Sequence, residues 1–440
     1  VNTSISAGAK NSEGGVMITP SSNPLSALTA AEGAWEGVTA AAIRFLPLVT
    51  TTLENNLGDG KSTMTMADTP ENRSVVGDYL AITLYQYDAN GAISDSDIIF
   101  NPRIVDGNGK QIPFSTDDEP NTYDLRSVAT HELGHALGAD HSAVLGATMN
   151  FATSPISDFA GVADATVQST ISSDDVAFAR RVYPASASLV NIGAIRGTVS
   201  LSNGYPILGG SVVAVDPATG VIVQGMTSLV DGTYTISPVP IGNYLIYVQP
   251  LNGPVGPSDL GINASLVTST FRTTFAGGNA SPWSTPVQRG LTSIANIAVD
   301  SNPARLRISY VGVGSAGGAD WSYAGVKTVK AGGYIDVLVW GPNLSTTVTE
   351  DQLRILGPGV KIVPGTLTSQ KSAVVDGMVP IRFTVEVAPT ASRNLISIGI
   401  VNGTDAAIRS GGLVVVPNQI TRQRPVTILT SPRASASQSR

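Results

Sequence analysis

The chain of 440 residues contains no cysteine, which excludes disulfide bonds and thiolate metal sites. Histidine is scarce, with three copies, and charged residues make up only 13% of the sequence, with a net charge of −7. No basic stripe is present that could contact phosphates, and this argues against nucleic acid as a partner. No apolar run approaches the roughly 18 residues that a membrane-spanning helix needs. We therefore expect a protein with no membrane span and no nucleic-acid partner.

Glycine and proline are abundant, with 46 and 27 copies, and hydrophobic residues make up 42% of the chain. This mixture favours short strands joined by turns over long charged helices. The length predicts more than one domain. The predicted fold class is multidomain, with an α+β domain followed by two all-β sandwich domains.

We predict five segments along the chain. They are a flexible segment rich in Ser, Gly and Asn at 1–24, the α+β domain at 25–187, β-sandwiches at 190–300 and 303–418, and a C-terminal strand with a frayed tail at 419–440.

Within the α+β domain, the residue pattern predicts four local structures. They are a helix from residue 25 with Trp35 on its apolar side that runs into a strand at 42–45, two strands around a polar turn at 78–102, a helix at 125–138, and a helix at 172–184 that Ser173 can cap.

All three histidines lie in the stretch HELGHALGADH. On a helix, His131 and His135 are four residues apart and share one face. Gly138 tolerates the positive φ that lets the backbone leave the helix, and the turn can bring His141 round as a third ligand. Three neutral imidazoles leave a fourth position open for water, which is typical of a catalytic zinc ion. Glu132, beside the first ligand, is placed to take a proton from that water.

The alternative is that the three histidines only fill the core or the surface. Random placement would produce this spacing in only about one of tens of thousands of arrangements, so the motif favours zinc.

The spacing HExxHxxGxxH is the signature of the metzincin metalloproteases, and HELGHALGADHS followed by ATMN resembles their matrixin branch. In that family a methionine in a tight turn lies beneath the zinc site, and Met149 stands at the matching distance after the motif. AEGAWEGVTAAAIRF resembles the first helix and strand of matrixins. SSDDVAFARRVY resembles their final helix, whose paired aspartates, here Asp174 and Asp175, brace the methionine turn. The resemblance covers most of residues 25–184.

The resemblance implies hydrolysis of protein or peptide substrates with one catalytic zinc ion and with Glu132 as the general base. DIIFNP resembles the edge strand along which matrixin substrates lie, so Ile98, Ile99 and Phe100 are candidates for contacts with an extended substrate. Phe151 is a candidate for the pocket that takes the side chain after the cut, with core packing as an equal alternative.

Calcium is a second candidate cofactor. The stretches DANG (88–91), DGNG (106–109) and STDDEP (115–120) are oxygen-rich loops of the type that calcium uses. Such loops are more often ordinary turns. Unlike animal matrixins, the chain has no spare histidines for a structural zinc ion and no cysteine for a propeptide switch.

The first sandwich, with its stretch from 193 to 250, resembles the transthyretin-like domain that accompanies carboxypeptidases and many bacterial surface proteins. The second resembles bacterial immunoglobulin-like domains of the IPT type. We therefore expect a bacterial protein that is secreted, either extracellular or at the cell surface. Because the first residue is Val1, we expect the sequence to be a processed or truncated form.

Two functions follow from these patterns. The first is a secreted zinc endopeptidase whose β domains position it on a surface or substrate. The second is a structural or adhesive subunit of a surface or filament that carries a minor or relict protease domain, because charge-poor β domains have strand edges that can pair with neighbours or with other copies. The complete motif, including Glu132, favours the first.

Overall fold

A computed structural model describes residues 1–156, 164–185, 190–261, 264–302, 304–314, 320–323 and 325–417. The strand and tail predicted for 419–440 lie outside the described residues. The helices are α1 (Pro24–Glu36), α2 (Pro70–Val76), α3 (Leu125–Ala136), α4 (Ser173–Val182) and α5 (Leu344–Thr347). Short 3-10 turns span Val167–Ser169, Pro257–Leu260, Ala264–Leu266 and Glu350–Gln352.

The described part of residues 1–185 combines α1 to α4 with short strands. These are β1 (Met64–Thr65), β2 (Ala81–Tyr87), β3 (Ile93–Phe100), β4 (Phe114–Ser115) and β5 (Tyr123–Asp124). Strand β3 lies between β1, which runs parallel to it, and β2, which runs antiparallel. The two strands predicted around the polar turn at 78–102 are therefore present.

Helices α1 and α3 pack against each other. The apolar side chains of α1 recur on one face, and Leu28, Ala31 and Trp35 are fully buried there. The indole Nε1 of Trp35 donates a hydrogen bond to the backbone oxygen of Thr130 in α3 at 2.8 Å. This bond satisfies the polar end of a buried Trp and fixes α1 beside the helix that carries the histidine motif.

The structure differs from the prediction of a flexible segment at 1–24. Ile5, Met17 and Ile18 belong to the same buried cluster as Trp35. The backbone also takes part, since the amide of residue 19 donates to the oxygen of Phe114 at 2.9 Å. The composition of residues 1–24 is mostly polar, but its few apolar side chains are enough to anchor the segment in the core.

The strand predicted at 42–45 does not form a ladder. Ile43 is buried between the exposed residues 42 and 44, so the alternation that suggested a strand is real. The described backbone pairs nearby only through an isolated bridge between Ala41 and Pro184. Alternation reports the burial of one face and does not require a neighbouring strand.

Residues 190–302 form an all-β region. Its strands are β6 (Ile192–Leu201), β7 (Ser211–Val215), β8 (Ile222–Thr227), β9 (Thr233–Pro240), β10 (Gly242–Gln249), β11 (Thr274–Phe275), β12 (Thr285–Val287), β13 (Thr292–Ile294) and β14 (Ile297–Val299). One sheet has the order β11-β10-β7-β8, with β12 also paired to β10, and the other has the order β13-β6-β14, with β9 also paired to β6. Side chains from both sheets form one buried cluster.

Residues 304–417 form a second all-β region. Its strands are β15 (Tyr310–Val313), β16 (Asp320–Ser322), β17 (Lys327–Lys330), β18 (Gly333–Trp340), β19 (Leu353–Leu356), β20 (Val360–Ile362), β21 (Thr368–Ser369), β22 (Ile381–Val387), β23 (Asn394–Asn402) and β24 (Asp405–Val416). The sheets have the orders β16-β15-β18-β22-β20, with β21 paired to β22, and β17-β24-β23-β19. They too share one buried cluster.

The three regions meet in one buried apolar cluster, which we call the junction cluster. Its members are Val144, Leu145, Ala147 and Val167 from the first region, Val213, Val215, Ile222, Tyr247, Leu251, Val255, Leu260 and Phe275 from the second, and Val326, Leu395 and Val414 from the third. A buried ion pair between Lys327 and Asp164, with 3.0 Å between Nζ and Oδ2, also joins the first and third regions. The first region is therefore packed against both β regions.

None of the described helices has the length and apolar character needed to cross a membrane.

Candidate metal centre

The helix that carries the histidine motif has a well-defined start and end. Asp124 caps its N-terminus, since its Oδ2 accepts hydrogen bonds from the amide and the hydroxyl of Ser127 at 2.7 and 2.6 Å. The helix ends at Ala136, and Gly138 has a φ of +88°. A side chain other than hydrogen is strained at this φ, so the glycine allows the chain to turn toward His141.

The three histidines converge on one point. One ligand nitrogen from each of His131, His135 and His141 lies within 4.8 Å of the others. The Nε2 atoms of His135 and His141 are 3.2 Å apart. Two nitrogens bound at about 2.0–2.1 Å to one tetrahedral zinc ion would be roughly 3.3 Å apart, so the spacing suits a shared ion. Among the described residues, this is the only group of three or more His, Cys, Asp or Glu that could hold a metal.

The other ring nitrogen of each histidine contacts a backbone carbonyl. In chain order, the Nδ1 atoms lie 2.8 Å from the oxygen of Thr148, 2.9 Å from that of Ala139 and 2.6 Å from that of Asp259. A carbonyl oxygen can only accept, so each Nδ1 must carry the proton. Each Nε2 then presents its lone pair to the centre of the triad. Protein zinc sites orient their histidine ligands in the same way.

The surroundings keep two of these imidazoles neutral. Burial, reinforced by the neighbouring histidines, holds the pKa of His131 well below its ordinary value. Burial and the proximity of His141 lower the pKa of His135 to about 4. Neutral imidazole is the form that binds a metal ion, so both rings are ready to coordinate at neutral pH.

Glu132 lies beside the triad in a buried position, with 5% of its surface exposed. Thr83 in β2 donates a hydrogen bond from Oγ1 to the carboxylate Oε2 at 2.6 Å. Burial raises the pKa of Glu132 to about 7, and the hydrogen bond from Thr83 opposes that rise. Sequence patterns did not identify Thr83, because a lone threonine in a strand carries no signal of a partner 49 residues away.

The predicted substrate strand is wrong. Ile98, Ile99 and Phe100 lie in β3, which is the middle strand of its sheet and is paired on both sides. Their side chains are at most 2% exposed. An added strand needs a free edge, and in the described residues β2 lies at the outside of the sheet. Both strands of the hairpin show similar residue patterns, so the sequence did not distinguish the outer one from the inner one.

Met149 lies against α3 and is 1% exposed. A Cβ added at Gly134 would come within 2.2 Å of the Met149 sulfur and within 2.8 Å of Trp35 Cζ2. The helix can therefore approach the methionine turn only because position 134 has no side chain.

The paired aspartates of α4 differ in their contacts. Asp175 accepts from the amides of Thr148 and Met149 at 2.6 and 3.3 Å, so it braces the methionine turn. Asp174 instead accepts from the hydroxyl of Ser142 at 2.5 Å and from the amide of Gly225 in β8 at 2.6 Å. The helix is capped by Ser172 rather than by the predicted Ser173.

Phe151 lies next to the triad, with its ring centroid 6.4 Å from that of His141. It is half-buried and packs against the junction cluster. The structure thus gives it a packing role, and a part in substrate binding stays a prediction.

Two of the three candidate calcium loops use their carboxylates to close turns. Asp88 Oδ1 accepts from the amides of residues 90 and 92 at 2.8 and 2.9 Å. Asp106 Oδ1 accepts from the amides of residues 108 and 110, both at 2.9 Å. Aspartate forms turns of this kind without a cation. The contacts described for the third loop, at 115–120, do not add support for calcium.

One protein family matches this part of the chain. Residues 82–183 match the matrixin family. The match runs from β2 to the end of α4 and includes the histidine triad, Glu132 and Met149. It supports a zinc metalloprotease activity for the first region and leaves the two β regions unassigned. No curated protein matches the chain.

Several solved structures align with about half of the chain. The major pilin subunit BcpA of Bacillus cereus is 12% identical and aligns over 51% of this chain and 69% of its own, with a TM-score of 0.17. A putative carbohydrate binding protein from Bacteroides uniformis is 12% identical over 51% of this chain and 97% of its own, with a TM-score of 0.16. The major pilin SpaD of Corynebacterium diphtheriae is 9% identical over 51% and 64%, also with a TM-score of 0.16. Scores of this size do not establish a common fold.

Proposed function

We propose that the protein is a zinc-dependent endopeptidase. The observation that carries this proposal is the hydrogen bonding of the triad, in which three carbonyls hold the Nδ1 protons and direct three Nε2 lone pairs to one point. The Nε2 atoms of His135 and His141 lie 3.2 Å apart, and a cation held between two unprotonated nitrogens at this distance would offset the repulsion between their lone pairs. The matrixin match over residues 82–183 supports the same conclusion.

The chain supplies three imidazole ligands and one base. Zinc held by His131, His135 and His141 would supply Lewis-acid chemistry, which polarises a carbonyl oxygen and would lower the pKa of water to about 7. The carboxylate of Glu132 accepts the proton of the attacking water and passes it to the leaving amine. Thr83 holds Oε2 of that carboxylate, so we assign the proton transfer to Oε1.

We place the substrate along the outer edge of β2. An extended peptide can pair with a free strand edge through its main chain, and this fixes its direction without a sequence requirement. Thr83 stands in the middle of β2 and contacts Glu132 directly. A peptide on this edge therefore passes the base and the triad.

The alternative of a structural or adhesive subunit with a relict site receives less support. A relict site has no reason to retain three oriented imidazoles and also a hydrogen-bonded base. We retain the bacterial, secreted or cell-surface location, and the transthyretin-like and immunoglobulin-like character of the two β regions, as predictions. Self-association through these β regions also stays a prediction.

Removal of the metal tests the proposal. Treatment with 1,10-phenanthroline should remove about one zinc ion per chain and abolish casein hydrolysis. Added zinc should restore the zinc content and the hydrolysis. Zinc content is measured by atomic absorption and cleavage by fluorescence of labelled casein. The His131→Ala variant serves as the control, because readded zinc should not restore its activity. Hydrolysis that persists in the metal-free protein would contradict the proposal.

A further inference from the structure

One hydrogen bond of the triad comes from a different region of the chain than the other two. The carbonyls that contact His131 and His135 belong to the first region, at residues 148 and 139. The carbonyl that contacts His141 is that of Asp259, 118 residues further along the chain. Asp259 lies in the first β region, which the matrixin match does not cover.

The turn that carries this carbonyl is held in place at two points. The Asp259 side chain accepts a hydrogen bond through Oδ2 from the amide of Gly256 at 2.7 Å, which closes the turn over Pro257–Leu260. Leu260 is 4% exposed and belongs to the junction cluster. The carbonyl of Asp259 is thus fixed by a bond within the turn and by an apolar anchor beside it.

A second connection joins the first β region to the residue that follows His141. Ser142 follows His141 directly and donates its hydroxyl hydrogen bond to Asp174. The other oxygen of Asp174 accepts from the amide of Gly225 in β8. In the same helix, the hydroxyl of Ser173 donates to the backbone oxygen of Ile222, also in β8, at 2.6 Å. The first β region therefore contacts the ring of His141 directly and is connected through Asp174 to Ser142, the residue that follows it.

We propose that the first β region is part of the metal centre and that its Pro257–Leu260 turn positions His141 as the third ligand. The Asp259 carbonyl sets the Nδ1-protonated tautomer and the ring orientation of His141, as carbonyls of the first region do for the other two ligands. Asp259 is a positioning residue, because it acts through His141. The proposal rests on zinc binding by the triad and does not depend on peptide hydrolysis.

The side chain of Asp259 provides the means to test this. In the 440-residue chain, Asp259→Ala removes the bond that closes the turn, and Asp259→Asn keeps an oxygen that can accept from Gly256. The matched control is Asp231→Ala, because Asp231 is exposed and closes another turn of the same β region by accepting from the amide of Thr233 at 2.9 Å. A double variant, Asp259→Ala with Leu260→Ala, removes both points that hold the turn.

Two measurements separate positioning from a general loss of structure. Zinc affinity is measured by competition with a chromophoric chelator, and the ring nitrogens are observed by 15N NMR in the metal-free protein, where the chain contributes three imidazoles. Asp259→Ala should bind zinc about 10-fold more weakly, and the double variant more weakly still. The 15N shifts of one ring, that of His141, should move toward a tautomer mixture. Asp259→Asn and Asp231→Ala should resemble the wild type.

Other outcomes would overturn the proposal. It fails if Asp259→Ala and the double variant bind zinc as tightly as the wild type with unchanged ring spectra. It also fails if all three rings shift together with a lowered thermal midpoint, since that result would show a general loosening of the fold. If the affinities change as expected but the wild type cleaves no peptide, the proposed peptidase function fails and the positioning role of the turn stands.

Discussion

Replacing Glu132 with glutamine should abolish peptide hydrolysis and leave the zinc site occupied. The amide cannot accept the proton of the attacking water, and the loss of a general base lowers kcat/KM by about 10²- to 10⁴-fold. The triad keeps its three ligand nitrogens and their carbonyl partners, since none of these contacts involves the Glu132 side chain. The measurement is kcat/KM for a quenched fluorescent peptide, together with zinc content on the same samples.

The control for this variant is Glu71→Gln, which makes the same chemical change on the exposed face of α2. It should retain wild-type kcat/KM. Wild-type kcat/KM in Glu132→Gln, with a full complement of zinc, would show that another group serves as the base.

Replacing Asp175 with alanine should have the largest effect on stability among the site residues. Asp175 is 3% exposed and accepts hydrogen bonds from the amides of Thr148 and Met149 and from the hydroxyl of Ser172. Each buried donor that loses its partner costs about 1–3 kcal/mol, so we expect the free energy of unfolding to fall by about 3 kcal/mol. Because the oxygen of Thr148 also holds His131, zinc should bind more weakly as well.

Urea denaturation of the metal-free protein measures the first effect, and chelator competition measures the second. The control is Asp78→Ala, at an exposed position, where a surface change should alter the free energy of unfolding by less than about 0.5 kcal/mol. Equal stability of Asp175→Ala and the wild type would contradict the role of Asp175 as the brace of the methionine turn.

The parts of the site that could be predicted depend on local spacing. His131 and His135 share a face because a helix repeats every 3.6 residues, and the left-handed turn at Gly138 follows from the absence of a side chain there. Glu132 needs only its place beside the first ligand. These relations hold within eleven residues and require no knowledge of the rest of the fold.

The parts that could not be predicted depend on contacts between distant segments. Either strand of the hairpin could pair with β1, and the one that does not becomes the outer strand. The residues of β2 and β3 do not indicate which of them pairs with β1. The bond from Thr83 to Glu132 and the bond from His141 to Asp259 each form only after separate segments have packed. Asp174 illustrates the same limit, because the family pattern assigned it to the methionine turn whereas the structure joins it to β8.

The most direct test of the peptidase assignment is to identify the products formed by the zinc-loaded wild type. Casein is incubated with the wild-type chain or with Glu132→Ala, and the new peptide termini are read by mass spectrometry. We expect new internal termini with the wild type, since zinc and Glu132 together cleave peptide bonds, and none with the variant. The same termini from both proteins, or none from a wild type that carries its zinc ion, would contradict it.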